Sequence, residues 1–250
     1  MSRTIVIGDV HGCSDEFRAL LKHVSFRKGH DTLVQVGDLM DKGPDAPGCV
    51  RLAREMGAIV VMGNHEEKHI RWRRHESKRL ATGKTNPMKT FSPDKARDNM
   101  ALSDDDVLNW MANLPLFHTL DNGMAVVHAG LEPAFPFDAQ SKAILRVRFV
   151  GDNGKMVGFA EGSLDQPDNT TFWGEKWQGP ESVIYGHIVH SFNKVRVDSF
   201  SGGACYGIDT GCVHGGRLTA MVLSDNNEPE FAWVNAKDVY SPYHFPSSED

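Results

Sequence analysis

Three short polar clusters, each following an apolar run, carry the residue types best suited to chemistry: Gly8-Asp9-Val10-His11-Gly12, Gly37-Asp38-Leu39-Met40-Asp41-Lys42-Gly43-Pro44 and Gly63-Asn64-His65-Glu66. Two later runs end in the same manner, in Val127-His128-Ala129-Gly130 and in Tyr185-Gly186-His187. Singly each is weak, because an Asp after a strand is commonly a helix cap and an isolated His commonly a hydrogen-bonded core residue. Together they offer Asp, His, Asp, Asn, His and His in that order, a mixed oxygen and nitrogen donor set that suits divalent transition metals. Glycines beside these donors let the backbone turn sharply and bring short side chains to a common centre.

The elements that must position these groups follow from periodicity. TIVIG, TLVQVG and AIVVMG read as strands separated by amphipathic helices, a β-α-β-α-β pattern. Ligands of an open α/β sheet gather beyond the carboxyl ends of its strands, so the three early clusters should converge on one crevice. The first helix places Phe17, Leu20, Leu21 and Val24 on one stripe, with Ser14 as its expected N-cap. Residues 66–114 read as mainly helical. Their last helix is capped by Ser103 and carries Asp104, Asp105 and Asp106 at the positive end of its dipole. Val107, Trp110, Met111 and Leu114 keep the helical period there, which places Trp110 in the core. Strands return in PLFHTL and MAVVH, joined by the turn Asp121-Asn122-Gly123, and in SVIYG, KVRV, CYGID and LTAMVL. A second sheet packed on the first is expected, giving an α/β fold.

At 250 residues, with 40% hydrophobic and 24% charged residues, the composition is that of a globular protein and excludes disordered, fibrous and membrane classes. One domain over residues 1–245 is expected, with a frayed tail at 246–250. The opening apolar run is too short for a signal peptide, and no stretch reaches the roughly 18 apolar residues of a membrane span, so a cytoplasmic protein is expected. Cys13, Cys49, Cys205 and Cys212 lack C-x-x-C spacing and are expected to be reduced thiols. A net charge of -6 argues against strong nonspecific nucleic-acid binding. The local exception, RWRRHESKR, carries Arg71, Arg73, Arg74, Lys78 and Arg79. It reads either as a solvated helix face or as a contact for a polyanionic substrate, with Trp72 more simply core than a base-stacking platform.

The ordered series GD-x-HG, GD-x-x-D, GNHE, H-x-G and GH, spanning Gly8 to His187, resembles the calcineurin-like metallophosphoesterases of the phosphoprotein phosphatase type. The resemblance implies two mixed β-sheets packed as a sandwich with flanking helices and a dimetal site at the carboxyl ends of the strands. It implies that Asp9, His11 and Asp38 hold one metal while Asp38, Asn64, His128 and His187 hold the other. The cofactors would be two divalent ions, manganese first, with iron, zinc or cobalt as substitutes. A metal-bridged hydroxide would attack phosphorus in line with the leaving oxygen. His65 would protonate the leaving group, oriented by Asp41; the competing readings are a turn residue for Asp41 and a further metal ligand for His65.

Phosphate needs cationic side chains, and Lys42, Arg146 and Arg148 are the candidates; Arg146 and Arg148 alternate along a short extended run and so should share one face, one of them reaching the phosphate. Lys42 stands where protein serine/threonine phosphatases of this superfamily usually carry Arg, which moves the resemblance toward the ApaH-like phosphatases, relatives of the diadenosine tetraphosphate hydrolases. Ile144-Leu145-Arg146-Val147-Arg148 and the stretch from Gly207-Ile208-Asp209-Thr210-Gly211 to Thr219-Ala220 are similar to that branch. The leading expectation is therefore a metal-dependent hydrolase of dinucleoside polyphosphates or other polyphosphorylated nucleotides, capped RNA included. The alternative is a protein serine/threonine or tyrosine phosphatase, with a phosphoprotein as partner. A third reading is a catalytically silent metal-bound scaffold.

Overall fold

The structure is a computed structural model that describes residues 2–88, 91–102, 105–158, 165–224 and 228–243. Ser103, Asp104, the side chains of Asp105 and Asp106, and the tail at 246–250 lie outside the described residues. The first half runs β1 (Thr4–Ile7), α1 (Ser14–His23), β2 (Thr32–Gln35), α2 (Ala46–Met56), β3 (Ile59–Val60), α3 (Asn64–Thr82), α4 (Pro93–Ala101), α5 (Asp105–Ala112), β4 (Phe117–Thr119) and β5 (Ala125–Val127). The second half adds β6 (Phe149–Val150), β7 (Thr171–Phe172), α6 (Trp173–Lys176), β8 (Val183–Tyr185), β9 (Arg196–Phe200), β10 (Gly203–Gly207), β11 (Asp209–Thr210), β12 (Arg217–Leu223) and β13 (Pro229–Asn235).

One sheet has the order β11-β12-β1-β2-β3, with β13 on the other side of β12; the second has the order β4-β5-β8-β10-β9. In the first, β1, β2 and β3 are parallel and β12 is antiparallel to β1. In the second, β5, β8 and β10 are parallel. Alternation sorts the side chains into layers. Ile5 and Ile7 face the cluster built with Phe17 and Leu20 of α1 and Val50 of α2, while Val6 faces the other way. Val126 of β5 and Ile184 of β8 meet Val6, Val34 and Met221 in the layer between the sheets. Ala125, Val127 and Tyr185 point outward to Trp173 and Trp177. The sandwich with flanking helices expected from the sequence is thus present, and it turns the carboxyl ends of both parallel sets toward one edge.

The helical region between β3 and β4 comprises α3, α4 and α5, with non-helical chain at 83–88 and 91–92. Trp72 stacks on Phe91, ring centroids 4.7 Å apart, so it belongs to the local core. Two local expectations change. The N-cap of α1 is Cys13, and Ser14 already lies in the helix, where its hydroxyl donates to Asp45 Oδ2 at 3.1 Å. The Arg146–Arg148 segment is not extended: a 3-10 turn spans Lys142–Leu145 and Arg146 closes it with φ -146° and ψ 2°, so the two guanidinium groups do not share a face.

Candidate metal centre

Each early cluster follows a parallel strand: Asp9 and His11 lie in the loop after β1, Asp38 in the loop after β2, and Asn64 is the first residue of α3, just beyond β3. His128 and His187 arrive from the second sheet, after β5 and β8. Ligand atoms of His11, Asp38 and His65 all lie within 4.8 Å of one another, as do those of Asp38, His128 and His187, so Asp38 is common to both groups. Asp38 Oδ2 is 3.4 Å from Nε2 of both His11 and His128. Asp9 Oδ2 is 3.9 Å from His11 Nε2, and both its oxygens accept from His187 N at 3.1 Å. Asn64 Oδ1 is 2.9 Å from His128 Nε2. The six residues expected to cage the ions converge.

The donor set fits a pair of divalent cations on its own chemistry. Nδ1 of His11 and Nδ1 of His128 each donate to a backbone carbonyl, of Met40 and Val36, at 2.9 Å, which turns both Nε2 atoms inward. Those nitrogens and the carboxylate oxygens of Asp9 and Asp38 are acceptors crowded together, an arrangement that a cation between them relieves. Burial pushes Asp9 well above the usual carboxylate range, and Asp209 and Asp38 push it further. Burial also drives His11 and His187 well below the ordinary imidazole value, Lys42 adding to the effect on His11 and His128 to that on His187. Burial works against the Asp38 carboxylate too, yet His128 and His65 hold it well below its usual range.

The backbone that brings these groups together is unusual. His11, Asp38, Asp41, Lys42 and His187 all have left-handed φ, between 44° and 70°. Such conformations in non-glycine residues persist only where surrounding contacts enforce them. At Asp38 the enforcement is visible. The fully buried Glu66 carboxylate accepts from the N–H groups of Asp38 (2.7 Å), Leu39 (2.8 Å), Met40 (3.1 Å) and Gly63 (3.1 Å), tying the loop after β2 to the start of α3. Gly186 and Gly63 leave the room the carboxylates need: a Cβ at Gly186 would overlap Asp9 Oδ1, and one at Gly63 would overlap Asp38 Oδ1.

His65 Nδ1 lies 2.6 Å from Asp41 Oδ2, and its Nε2 faces the centre, 3.8 Å from Asp38 Oδ2. Lys42 Nζ is 2.9 Å from His11 Nε2. Arg148 Nε is 3.4 Å from His187 Nε2, whereas Arg146 pairs with Glu67 at 2.9 Å. Of the two arginines only Arg148 therefore borders the centre directly. A cavity of about 770 Å³ opens there, lined among others by Lys42, Arg148, His187, Asp209, Arg196 and Tyr243. The basic stretch is largely engaged within the chain: Arg71 pairs with Glu67, Arg79 with Glu76, and Arg73 donates to Asn99. Sequence reasoning passed over His69 and Lys95, which both bind Asp41 at 2.7 Å. His69 stands four residues after His65 on α3 and could have been found by helical spacing. Lys95 gives no such signal, because it arrives from α4 across 54 residues of chain.

Fold and site together define a phosphoesterase of the dimetal class. The calcineurin-like phosphoesterase model matches residues 2–190, and the chain belongs to that family. Among curated relatives, the symmetrical bis(5'-nucleosyl)-tetraphosphatase of Aggregatibacter actinomycetemcomitans is 28% identical, covering 89% of this chain and 94% of its own length. The enzyme of the same name from Citrobacter koseri is 27% identical, covering 89% and 92%. A crystal structure provisionally described as a diadenosine tetraphosphatase superposes with a TM-score of 0.71 at 30% identity, covering 94% of this chain and 93% of the other. A serine/threonine phosphatase from Saccharomyces cerevisiae shares the fold at 13% identity, with a TM-score of 0.55 over 95% and 81% of the chains. No helix among the described residues is long and apolar enough to cross a membrane.

Proposed function

We propose that this chain hydrolyses dinucleoside tetraphosphates, with two manganese ions held by Asp9, His11, Asp38, Asn64, His128 and His187. The observation that carries the reading is the shared Asp38 joining two donor groups at the mouth of a cavity that Lys42 and Arg148 line. When bound, the ions supply Lewis acidity toward a phosphoryl oxygen and make water acidic enough to act at neutral pH. The chain's own residues do the rest. Lys42 and Arg148 bind and orient phosphate oxygens, Lys42 as a point charge and Arg148 as a donor fork. His65 carries the proton on Nε2 that the leaving oxygen takes, and Asp41 fixes the ring through Nδ1 at 2.6 Å. The cavity, within the size range of small-molecule sites, takes the nucleoside end.

The relatives named for this substrate align over nine-tenths of the chain, which supports the tetraphosphate over other polyphosphorylated nucleotides. The same reading takes residues 1–245 as one catalytic unit, because β12, which follows the family match, pairs with β1 on one side and with β13 on the other. It places the protein in the cytoplasm, with a nucleotide partner and without strong nonspecific nucleic-acid binding. A protein phosphatase is the second reading, favoured by the His65–Asp41 pair. Manganese-loaded protein assayed on diadenosine tetraphosphate, capped RNA, polyphosphate and a phosphopeptide decides between them. The tetraphosphate should be cleaved to two molecules of ADP with the highest kcat/KM. A phosphopeptide turned over about tenfold better would replace the proposal with the second reading.

A further inference from the structure

Asp41 makes more hydrogen bonds than orienting His65 requires. Its Oδ2 accepts from His65 and from Lys95 Nζ at 2.7 Å, and its Oδ1 meets His69 Nε2 at 2.7 Å. Its side chain and that of His69 are fully buried, and Lys95 is three-quarters buried. Behind His69 stands Asn99, also fully buried, whose Nδ2 lies 3.2 Å from His69 Nδ1 and donates to His69 O at 3.2 Å. Arg73 closes the series, Nε to Asn99 Oδ1 at 2.8 Å and Nη2 to Asn99 O at 3.0 Å.

The direction of every hydrogen bond follows from one end. A guanidinium has no acceptor, so Arg73 fixes Asn99 with its oxygen outward and its amide nitrogen toward His69. That nitrogen only donates, so His69 Nδ1 must accept and the ring proton sits on Nε2, aimed at Asp41 Oδ1. Lys95 occupies the second position on Oδ2, leaving Asp41 acceptor-only toward His65 Nδ1–H. Lys95 and Asn99 are four residues apart and share a face of α4, so this one short helix supplies both arms.

We propose that Lys95 and the Arg73–Asn99–His69 relay are positioning residues for the leaving-group acid, and that α4 completes the acid side of the site. This inference rests on the assignment of His65 as acid and deepens it. It also gives Arg73, in the basic stretch, a role that needs no substrate contact.

Two measurements test it. On metal-free protein, long-range ¹H–¹⁵N correlation spectra should show His69 as the Nε2–H tautomer, and Asn99→Asp, which puts an acceptor at Nδ1, should protonate that nitrogen. On metal-loaded protein, Lys95→Met should slow phenyl phosphate, a poor leaving group, by about tenfold in kcat and p-nitrophenyl phosphate by less than about threefold, with Lys95→Arg recovering most of the loss. An Nδ1–H tautomer in the parent protein overturns the relay, and equal loss on both substrates in Lys95→Met overturns the positioning role of Lys95. Should His65→Ala slow both substrates alike, the acid assignment itself falls, while the tautomer still decides the relay. If Asn99→Asp does not fold, the parent spectrum alone is decisive.

Discussion

Glu66 is not among the expected ligands, yet its carboxylate determines where Asp38 can be. Each of its oxygens takes two backbone N–H groups, and nothing else among the described side chains supplies acceptors there. Glu66→Gln keeps shape and volume but replaces one oxygen with an amide that faces two donors. An unsatisfied buried donor costs about 1–3 kcal/mol, so a loss of about 3 kcal/mol in unfolding free energy is expected, read from denaturant midpoints. A variant as stable as the parent would mean that the loop after β2 is held by something other than Glu66. At this scale the sequence was legible where one residue type has one plausible use: Asp9, His11, Asp38, Asn64, His128 and His187 stand at strand ends beside glycines and are brought together. It was illegible where a role depends on distant chain. Lys95 reads as an ordinary surface lysine, and Arg146 and Arg148 look equivalent until a 3-10 turn sends one to Glu67 and leaves the other beside His187.

Elements hold the strand ends in place, and the entrance to β1 and β2 shows how. Thr32 N donates to Arg3 O at 2.8 Å, and Asp31, its side chain fully buried, accepts from Arg3 Nη2 at 2.8 Å and Arg27 N at 3.0 Å. Burial alone would raise this carboxyl, but those hydrogen bonds, with one from His30, hold it well below the ordinary carboxylate value. A carboxyl depressed in the folded state contributes stability above its unfolded value near pH 4, and that contribution is lost as pH falls toward the folded value. Asp31→Asn should therefore lower the melting temperature at pH 7 and show less further loss below pH 4 than the parent. Parallel curves for the two proteins would remove Asp31 from the acid response. The strands that bracket the site were visible as apolar runs, but β13 was not. Phe231 faces the inter-sheet layer, Ala232 and Val234 face the helical side, and an edge strand apolar on both faces shows no alternation. β6 and β7, at two residues each, are too short for any period to register.

Across the whole molecule, the centre is a joint between two sheets. Asp9, Asp38 and Asn64 belong to the first and His128 and His187 to the second, so on the proposed ligand assignment the ions would add to the apolar contacts and the few hydrogen bonds, His187 N–H to Asp9 and His128 Nδ1–H to Val36 O, that already join the layers. Hydrogen exchange on chelator-treated and manganese-loaded protein should show protection rising together in Thr4–Ile7 and Val183–Tyr185. At free metal about a hundredfold above Kd, stabilisation of about 2.7 kcal/mol is expected. Protection gained in only one sheet would break the picture of a joint. The left-handed backbone at His11, Asp38, Asp41, Lys42 and His187 carries a different implication, for evolution under heat. Glycine would relax the backbone at each of these five positions but would remove the side chain that the proposed site uses there, so backbone ease and ion-derived stability pull such a lineage in opposite directions.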